Sequence, residues 1–252
     1  MAALSEELGA ALDLCRRKSR LGVSGIRAWK GMRGEQMVHL LRSGLGPVRA
    51  ERSLTLLLSA LRPDRILVIG YAGALDPGLR LGDLVVAASA SLFDLNRSEN
   101  AAVHDVRLSG TWPLQESGEL IERGNGAGLS LKLGTTLTSP YIIGAPEQKL
   151  FLGRELHASI IDMETAALAR ASTKFSVPLA CVRAVSDTAQ DDFLAPFSYE
   201  PGVNKASRSL KALAAGNWFR RYSQWRENAG IARLRLREFL AWYLDSFIKT
   251  ST

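Results

Sequence analysis

Three short apolar runs, separated by stretches of helical character, constrain the fold of this chain more than any other feature. ILVIG (66–70), DLVVAAS (83–89) and PLACVRAVSD (178–187) have the length and composition of buried strands. Helices are predicted at 47–61, before the first run, and at 163–175, between the second and the third. This alternation predicts an α/β protein, in which helices cover the faces of a sheet.

Two further segments have weaker patterns. VHLLRSG (38–44) and SLKLGTTLT (130–138) are also predicted as strands. Residues 91–128 are polar and irregular, so we expect loops or a flap there.

The charge distribution argues against nucleic acid binding. The net charge is +7, but ten Lys or Arg and three Asp or Glu lie from Lys205 onward, whereas residues 1–204 carry 22 of each sign. A neutral main body lacks the basic groove that nucleic acids require. Cys15, Cys181 and the three histidines have no metal-site spacing, so no zinc centre is expected. No apolar run reaches the roughly 18 residues of a membrane span, and we expect a cytoplasmic protein.

The segment DMETAALARA (162–171) places two carboxylates where the predicted strand ASII (158–161) meets a predicted helix. Acids at a helix start can simply cap it and interact with its dipole. Ligands of α/β proteins also bind at such junctions. The residues alone leave both interpretations open for Asp162 and Glu164.

Two glycine-containing segments are open to similar alternatives. SGLGPVRA (43–50) places Gly46 in a turn between a strand and a helix, where main-chain amides could face an anion. In GYAGALDPGLRLGD (70–83), Gly70 and Gly73 are expected to let the backbone leave the sheet. Neither matches a nucleotide-binding motif, and a tight turn is the simpler explanation of each.

Four segments together resemble the nucleoside phosphorylase/nucleosidase superfamily, most closely its methylthioadenosine/S-adenosylhomocysteine nucleosidases. GYAGALDPGLRLGDLVV (70–86) is similar to the family segment G-x-A-G-G-L-(polar)-P-x-L-x-x-G-D-(V/L)-V-V. DMETAALARASTKFSVPLACVRAVSDTA (162–189) is similar to V-(D/E)-M-E-x-x-A … (F/Y)-x-V-P … (V/I)-R-(A/S)-(I/V)-S-D-x-A. AALSEEL (2–8) and RSGLGPVRA (42–50) match two further family segments, in the family's order. The resemblance implies a three-layer α/β/α sandwich with a mixed central sheet, and cleavage of the N-glycosidic bond of a purine nucleoside, an adenosine derivative.

The resemblance assigns the acid of this reaction to Asp187, at the end of the predicted strand 178–187. A carboxylic acid that protonates the purine turns it into a neutral leaving group. Partial burial is expected to favour its proton-carrying form, and Ser186 lies beside it in the expected site. A cap of the following turn is the alternative role. We expect Asp187→Asn to abolish turnover with little loss of stability.

The sugar is expected to bind at DMETAALARA. Glu164 would accept hydrogen bonds from ribose hydroxyls, because an ionised carboxylate only accepts them, and Met163 would pack on the sugar. Arg183 would pair with Glu164 or another site acid, since an interior arginine needs an acidic partner. Asp162 stays a helix cap in this assignment.

Hydrolysis also needs a base on the face of the sugar opposite the purine. Glu7 falls at the family position of that base, with Glu6 as the local alternative. Tyr141 and Ile142 fall where the family stacks an aromatic ring on the purine and reads its edge with backbone groups; a core tyrosine is the competing explanation. Tyr71 stands where nucleosidases usually carry a serine near the attacking water.

These residues favour hydrolysis over phosphorolysis, because Glu7 is present and GYAGA offers no arginine to a phosphate. A phosphorylase that uses inorganic phosphate as co-substrate is the alternative enzyme, and no other cofactor is expected. A catalytically silent nucleoside-binding or membrane-surface protein of the same fold is the third alternative. The first family strand, which would precede AALSEEL, is missing or badly shortened, and this supports the silent alternative.

Residues 205–252 fall outside the family frame and are predicted to be a basic, aromatic-rich helical extension of a domain at 1–204. Helices are expected at 203–228 and 231–248, the second with apolar residues at helical spacing. The alternatives are extra packed helices, a contact of the expected homodimer, or an amphipathic helix on the anionic lipid of the inner membrane.

Overall fold

A computed structural model describes residues 1–95, 106–192 and 218–248 of the chain. Helices and strands alternate through these residues, as predicted for an α/β protein. In chain order the elements are α1 (Ser5–Leu14), β1 (Arg16–Arg20), β2 (Arg27–Arg33), β3 (Gln36–Arg42), α2 (Pro47–Ala60), β4 (Ile66–Ala74), β5 (Leu84–Leu95), β6 (Val106–Pro113), α3 (Ser117–Gly126), β7 (Leu131–Thr138), α4 (Pro146–Glu155), β8 (Ile160–Asp162), α5 (Thr165–Lys174), β9 (Leu179–Asp187) and α6 (Trp218–Ile248).

The central layer is a mixed six-stranded sheet in the order β6-β5-β7-β8-β4-β9, beside a three-stranded antiparallel sheet, β1-β2-β3. Strand β4 runs parallel to β9 and antiparallel to β8. Strand β5 pairs with both β7 and β9, so the sheet closes on itself. Apolar side chains of α1 and α6 cover one face and those of α2 and α5 cover the other. The predicted three-layer architecture with a mixed sheet is confirmed.

Strand β9 shows why its sequence is apolar at successive positions. Ala180 and Val182 pack towards α1 and α6, whereas Leu179 and Cys181 pack towards α2 and α5. All nine residues of the strand are buried, so the side chains on both of its faces are apolar. Polar residues occur in such a strand only where buried partners satisfy them. Those exceptions, Arg183 and the final two residues of the strand, belong to the candidate site.

The expectation of loops or a flap at 91–128 is wrong for most of that range. Strand β5 continues to Leu95, and β6 and α3 follow within Val106–Gly126, while 96–105 lie outside the described residues. Among the strands that the structure describes, β6 pairs with β5 alone, and it exposes most of its side chains, Leu108 among them at 45%. An exposed outer strand needs no buried apolar run, which is why its sequence resembles a loop.

The C-terminal extension forms one helix across Trp218–Ile248, not two helices that separate near residue 229. The helix passes through Gly230, which is exposed and meets no crowding atom. Residues 203–217, the first part of the predicted helix 203–228, lie outside the residues that the structure describes. Its apolar stripe is buried against α1 and the sheet; the stripe comprises Ala232, Leu236, Phe239, Leu240 and Tyr243. In the described ranges no helix is long and apolar enough to cross a membrane.

Met1 and Ala2 lie between β3 and β4. The Met1 amine donates to the Leu67 carbonyl at 2.6 Å, and the Ile69 amide donates to the Met1 carbonyl at 2.9 Å. On its other side, Ala2 forms a parallel bridge with Arg42. These two residues therefore connect the two sheets. A cavity of about 660 Å³ extends from Met1 between 36–41 of β3 and the start of β4.

Candidate active site

Arg183 lies at the centre of the candidate site, on β9, and only 1% of it is exposed. Its Nη2 lies 2.8 Å from Asp162 Oδ2 and 3.7 Å from Glu164 Oε2. The same nitrogen donates to Thr165 Oγ1 at 2.8 Å. A cation this deeply buried requires acidic partners, and both acids of DMETAALARA provide them. Asp162, the nearer of the two, is therefore an ion-pair partner of Arg183.

Asp162 also performs the capping function considered for it. Its Oδ1 accepts hydrogen bonds from the main-chain amides of Glu164 and Thr165, each at 3.2 Å, where α5 begins. The same oxygen accepts from Thr138 Oγ1 at 2.7 Å, which links the ends of β7 and β8. A single carboxylate thus joins the strand, the helix and the arginine.

Glu164 connects DMETAALARA with the glycine loop at 43–50. Its Oε1 accepts a hydrogen bond from the Gly46 amide at 2.9 Å, at the start of α2. The acceptor that this amide faces is therefore a side chain of the protein itself. Burial raises the pKa of the Glu164 carboxyl to about 8, a shift that Arg183 opposes and Asp162 reinforces. Met163, the predicted sugar-packing residue, is half-buried beside it.

Glu7 approaches Arg183 from α1 and is 4% exposed. Its Oε2 accepts from the Leu4 amide at 2.8 Å, and its Oε1 accepts from the Tyr71 amide at 2.9 Å. Burial raises the pKa of the Glu7 carboxyl, with Arg183 acting in the opposite direction. Neighbouring Glu6, the alternative base, is exposed. The structure thus places Glu7, and not Glu6, with Arg183.

Tyr71 contributes its main chain to this arrangement, while its ring is half-buried against the apolar cluster of α1 and α6. Burial raises the pKa of its hydroxyl, and the negative charge of Glu7 adds to that shift.

Gly70 and Gly73 lie within β4, so the expectation that they let the chain leave the sheet is wrong. They provide space for side chains. A Cβ at Gly70 would overlap Arg183 Nη1 and lie 2.7 Å from Glu7 Oε1. A Cβ at Gly73 would lie 2.8 Å from Asp187 Oδ2. Both glycines of GYAGA therefore permit the site's charged groups to lie against the strand.

Asp187 ends β9 and is 6% exposed. Its Oδ1 accepts from Ser186 Oγ at 2.9 Å, and its Oδ2 forms an ion pair with Lys149 Nζ. Lys149 belongs to α4 and is fully buried. The sequence gives no sign of this partner, because one lysine in the polar segment PEQKLFLGRE (146–155) resembles any solvated residue. Asp187 is therefore held at both carboxyl oxygens, by Ser186 and by Lys149.

Tyr141 and Ile142 follow β7 and are half-buried. The Tyr141 amide donates to Ser139 Oγ at 3.0 Å, and the Ser139 amide donates to the Asp162 carbonyl at 2.9 Å. These two bonds hold the loop beside the residues that precede Glu164. The predicted aromatic residue is therefore held near the predicted sugar-binding segment.

Comparison with known proteins identifies the family. A family model described as "Phosphorylase superfamily" matches residues 1–215. The chain belongs to this superfamily. It is 29% identical over 222 residues to a 5′-methylthioadenosine/S-adenosylhomocysteine nucleosidase of Staphylococcus aureus. This match covers 84% of the present chain and 96% of that protein.

Solved structures of the same fold include a Helicobacter pylori nucleosidase with 5′-methylthioadenosine in the active site. It has a TM-score of 0.69 and 22% identity, and the match covers 94% of this chain and 95% of that one. The futalosine hydrolase of Helicobacter pylori has a TM-score of 0.70 at 22% identity, with 94% of each chain covered. The Neisseria meningitidis nucleosidase in complex with methylthio-immucillin-A has a TM-score of 0.70 at 18% identity, covering 95% of this chain and 94% of that one.

Proposed function

We propose that this member of the phosphorylase superfamily is a nucleosidase, which hydrolyses the N-glycosidic bond of a purine nucleoside related to 5′-methylthioadenosine. The observation that carries the proposal is the pairing of two buried polar centres along one stretch of β9. Glu7, Asp162 and Glu164 surround Arg183 at one position. Asp187, four residues further along β9, forms an ion pair with Lys149. The first centre suits a sugar and a water molecule, and the second suits a purine that must be protonated.

At the first centre, Glu164 is the proposed ligand of the ribose hydroxyls and Met163 the packing surface beneath the sugar. Hydroxyl groups that donate to Glu164 favour its ionised form, so substrate binding is expected to release the proton that burial retains there. Glu7 is the proposed base that activates water. A carboxyl whose pKa is raised towards neutrality is a better base near pH 7 than an ordinary exposed glutamate.

The charge balance of this centre favours water over phosphate as the attacking group. Three carboxylates, Glu7, Asp162 and Glu164, surround the single guanidinium of Arg183. A phosphate dianion that entered here would have to share Arg183 with its ion-pair partner Asp162 and would lie beside two further carboxyl groups, whereas water carries no charge. Phosphorolysis is therefore the weaker alternative.

At the second centre, Asp187 is the proposed acid that protonates the leaving purine, with Ser186 holding its second oxygen. Tyr141 and Ile142 are the proposed contacts of the purine ring. Protonation in the transition state is typically worth a factor of about 10² to 10⁴ in rate.

The experiment is an assay of base release from 5′-methylthioadenosine, S-adenosylhomocysteine, adenosine and futalosine, each with and without inorganic phosphate. We expect a free purine and a free reducing sugar at a rate that does not depend on phosphate. A strict phosphate requirement with a sugar 1-phosphate product would overturn hydrolysis. Calorimetric binding of a nucleoside without turnover would instead support the catalytically silent alternative.

Three further proposals concern the setting of the enzyme. We expect a homodimer, which light scattering after gel filtration tests, and a cytoplasmic location, which cell fractionation tests. A contact of the C-terminal extension with the inner membrane stays a prediction, although the buried stripe of α6 favours a packed helix. Sedimentation with anionic liposomes would detect such a contact.

A further inference from the structure

Lys149 is fully buried, and three oxygen atoms of the protein surround its ammonium group. Its Nζ donates to the main-chain carbonyls of Thr188 at 2.9 Å and Asp191 at 3.2 Å, in addition to the ion pair with Asp187 Oδ2. All three donors of the ammonium are thereby used. Since a buried ion pair adds little stability compared with apolar packing, its presence needs another explanation.

The contacts of Lys149 hold the Asp187 carboxyl in one orientation. Lys149 lies on Oδ2 and Ser186 on Oδ1, while Gly73 leaves space against Oδ2. Within the described residues, Asp187 is the acid whose carboxylate contacts Lys149. Asp191 presents its main-chain oxygen, and its carboxylate accepts from the Thr188 amide at 2.7 Å instead. The second cation of α4, Arg154, is exposed to solvent.

An acid paired with an ammonium is ionised, and an ionised acid cannot protonate a purine. The proton that the purine requires is, however, already present on Lys149 Nζ, which lies beside Asp187 Oδ2. When a substrate covers the pair and excludes water, a neutral acid and a neutral amine are less costly to bury than two charges. The existing hydrogen bond is the path for the transfer.

We propose that Lys149 is a positioning residue that orients Asp187 and passes it the proton delivered to the leaving purine. In this step an Nζ–H bond breaks and an Oδ2–H bond forms, leaving a neutral amine beside a neutral carboxylic acid. Asp187 then gives that proton to a purine ring nitrogen as the glycosidic bond breaks. Lys149 regains a proton from solvent after the neutral base departs, which balances the proton that Glu7 removes from water. The inference rests on the proposed nucleosidase function.

The test compares Lys149→Arg, Lys149→Met and wild type in the cleavage of 5′-methylthioadenosine from pH 5.5 to 8.5. Arginine keeps the charge and the ion pair but does not give up its proton, so it separates orientation from proton delivery. We expect Lys149→Arg to fold with near-wild-type thermal stability and to lose about 100-fold in kcat at pH 7.5, with little change in KM. We expect the loss in both variants to shrink as the pH falls, because solvent then supplies the proton. Arg154→Met, on the exposed side of the same helix, is the matched control and should behave as wild type.

Each result has a defined meaning. Wild-type kcat in Lys149→Arg overturns proton delivery, and a loss of equal size at every pH in Lys149→Met reduces Lys149 to a structural role. If Lys149→Met is unstable, the arginine variant still decides the question. Wild-type protein that cleaves no nucleoside overturns the proposed function itself, a result distinct from the failure of one variant.

Discussion

The two buried charged centres of this protein lie on the same strand but have opposite charge balances. Around Arg183, three carboxylates share one cation, and burial raises the pKa of two of them, Glu7 and Glu164. At Asp187, one carboxylate faces one ammonium, and the remaining donors of Lys149 are bound by carbonyls. The first centre has an excess of acid and the second is neutral.

This difference predicts different responses to the loss of one charge. Removing one acid from the Arg183 centre reduces the excess of carboxyl groups over cations, whereas removing the acid from the Lys149 pair leaves a buried ammonium without its counter-charge. The same kind of substitution, carboxylate to amide, should therefore have opposite effects on stability in the two places. Both centres depend on glycines of β4 for their space.

The largest effect is expected from Gly70→Ala. The new methyl group would overlap Arg183 and Glu7, which are both buried and fixed by their partners. We expect base release to fall below detection and the free energy of unfolding to drop by about 3 kcal/mol, the upper range for overpacking. Urea denaturation measures the second quantity. Gly118→Ala, where a methyl group meets no atom within 4 Å, is the control and should leave both unchanged. Normal activity in Gly70→Ala would mean that the Arg183 centre is not used in catalysis.

Asp187→Asn should lower both activity and stability. Loss of the acid is expected to reduce kcat by about 10² to 10⁴. The ion pair with Lys149 also changes the expectation, made from sequence, of little loss of stability, because the ammonium loses its buried counter-charge. We expect a loss of roughly 3 kcal/mol in unfolding free energy. Stability should return when Lys149→Met is added, and unchanged stability in the single variant would contradict the structure of this pair.

Glu7→Gln should reduce kcat by about 10³ with little net change in stability, because a neutral amide is less costly to bury than a carboxylate but keeps only one of the two main-chain hydrogen bonds. Glu6→Gln, one residue away and exposed, is the matched control. In wild type, activity should fall as the pH drops through the raised pKa of Glu7, since the protonated carboxyl cannot accept a proton from water. A pH–rate profile records this acidic limb. Equal losses in both variants would refute the assignment of the base.

The smallest effect concerns stability alone. Burial raises the pKa of Glu164 to about 8 in the folded protein, whereas in the unfolded chain this carboxyl ionises near its ordinary value of 4.5. The unfolded state therefore releases its proton first, and this contribution to stability is lost as the pH rises from about 4.5 to 8. Glu164→Gln cannot ionise, so its melting temperature should exceed that of wild type at pH 8.5 and approach it at pH 5. A lower melting temperature at pH 8.5 would show that the Arg183 centre is not over-acidic.

The sequence reveals the Arg183 centre better than the Lys149 pair. Apolar runs flank Arg183 and Asp162, so their polar side chains stand out from their surroundings. Lys149 lies in a short polar helix, and no local pattern distinguishes a lysine that is fully buried from one in solvent. Its burial is decided by where α4 packs, which depends on contacts distant in sequence.

The glycines of β4 and the outer strands likewise show that a local sequence pattern does not reveal contacts distant in sequence. The sequence at 70–73 predicts that Gly70 and Gly73 let the backbone leave the sheet, whereas their physical role, space for Arg183 and Asp187, depends on side chains more than 100 residues away. Strands β1 and β6 have mainly exposed residues and lack the buried runs that identify β4 and β9. The sequence therefore predicts the strands that have buried apolar runs and does not predict β1 and β6.

The position of Met1 has a practical consequence for protein production. Its amine is buried, desolvation lowers its pKa to about 5, and it donates to the Leu67 carbonyl inside the sheet. Residues fused directly ahead of this amine would begin beside the cavity between β3 and β4. A purification tag at this end would consequently compete with the pairing that holds α1 and Glu7 in place. A tag is better attached at the other end of the chain, or joined through a linker of about five extended residues, at 3.3 Å each, that can follow the two strands.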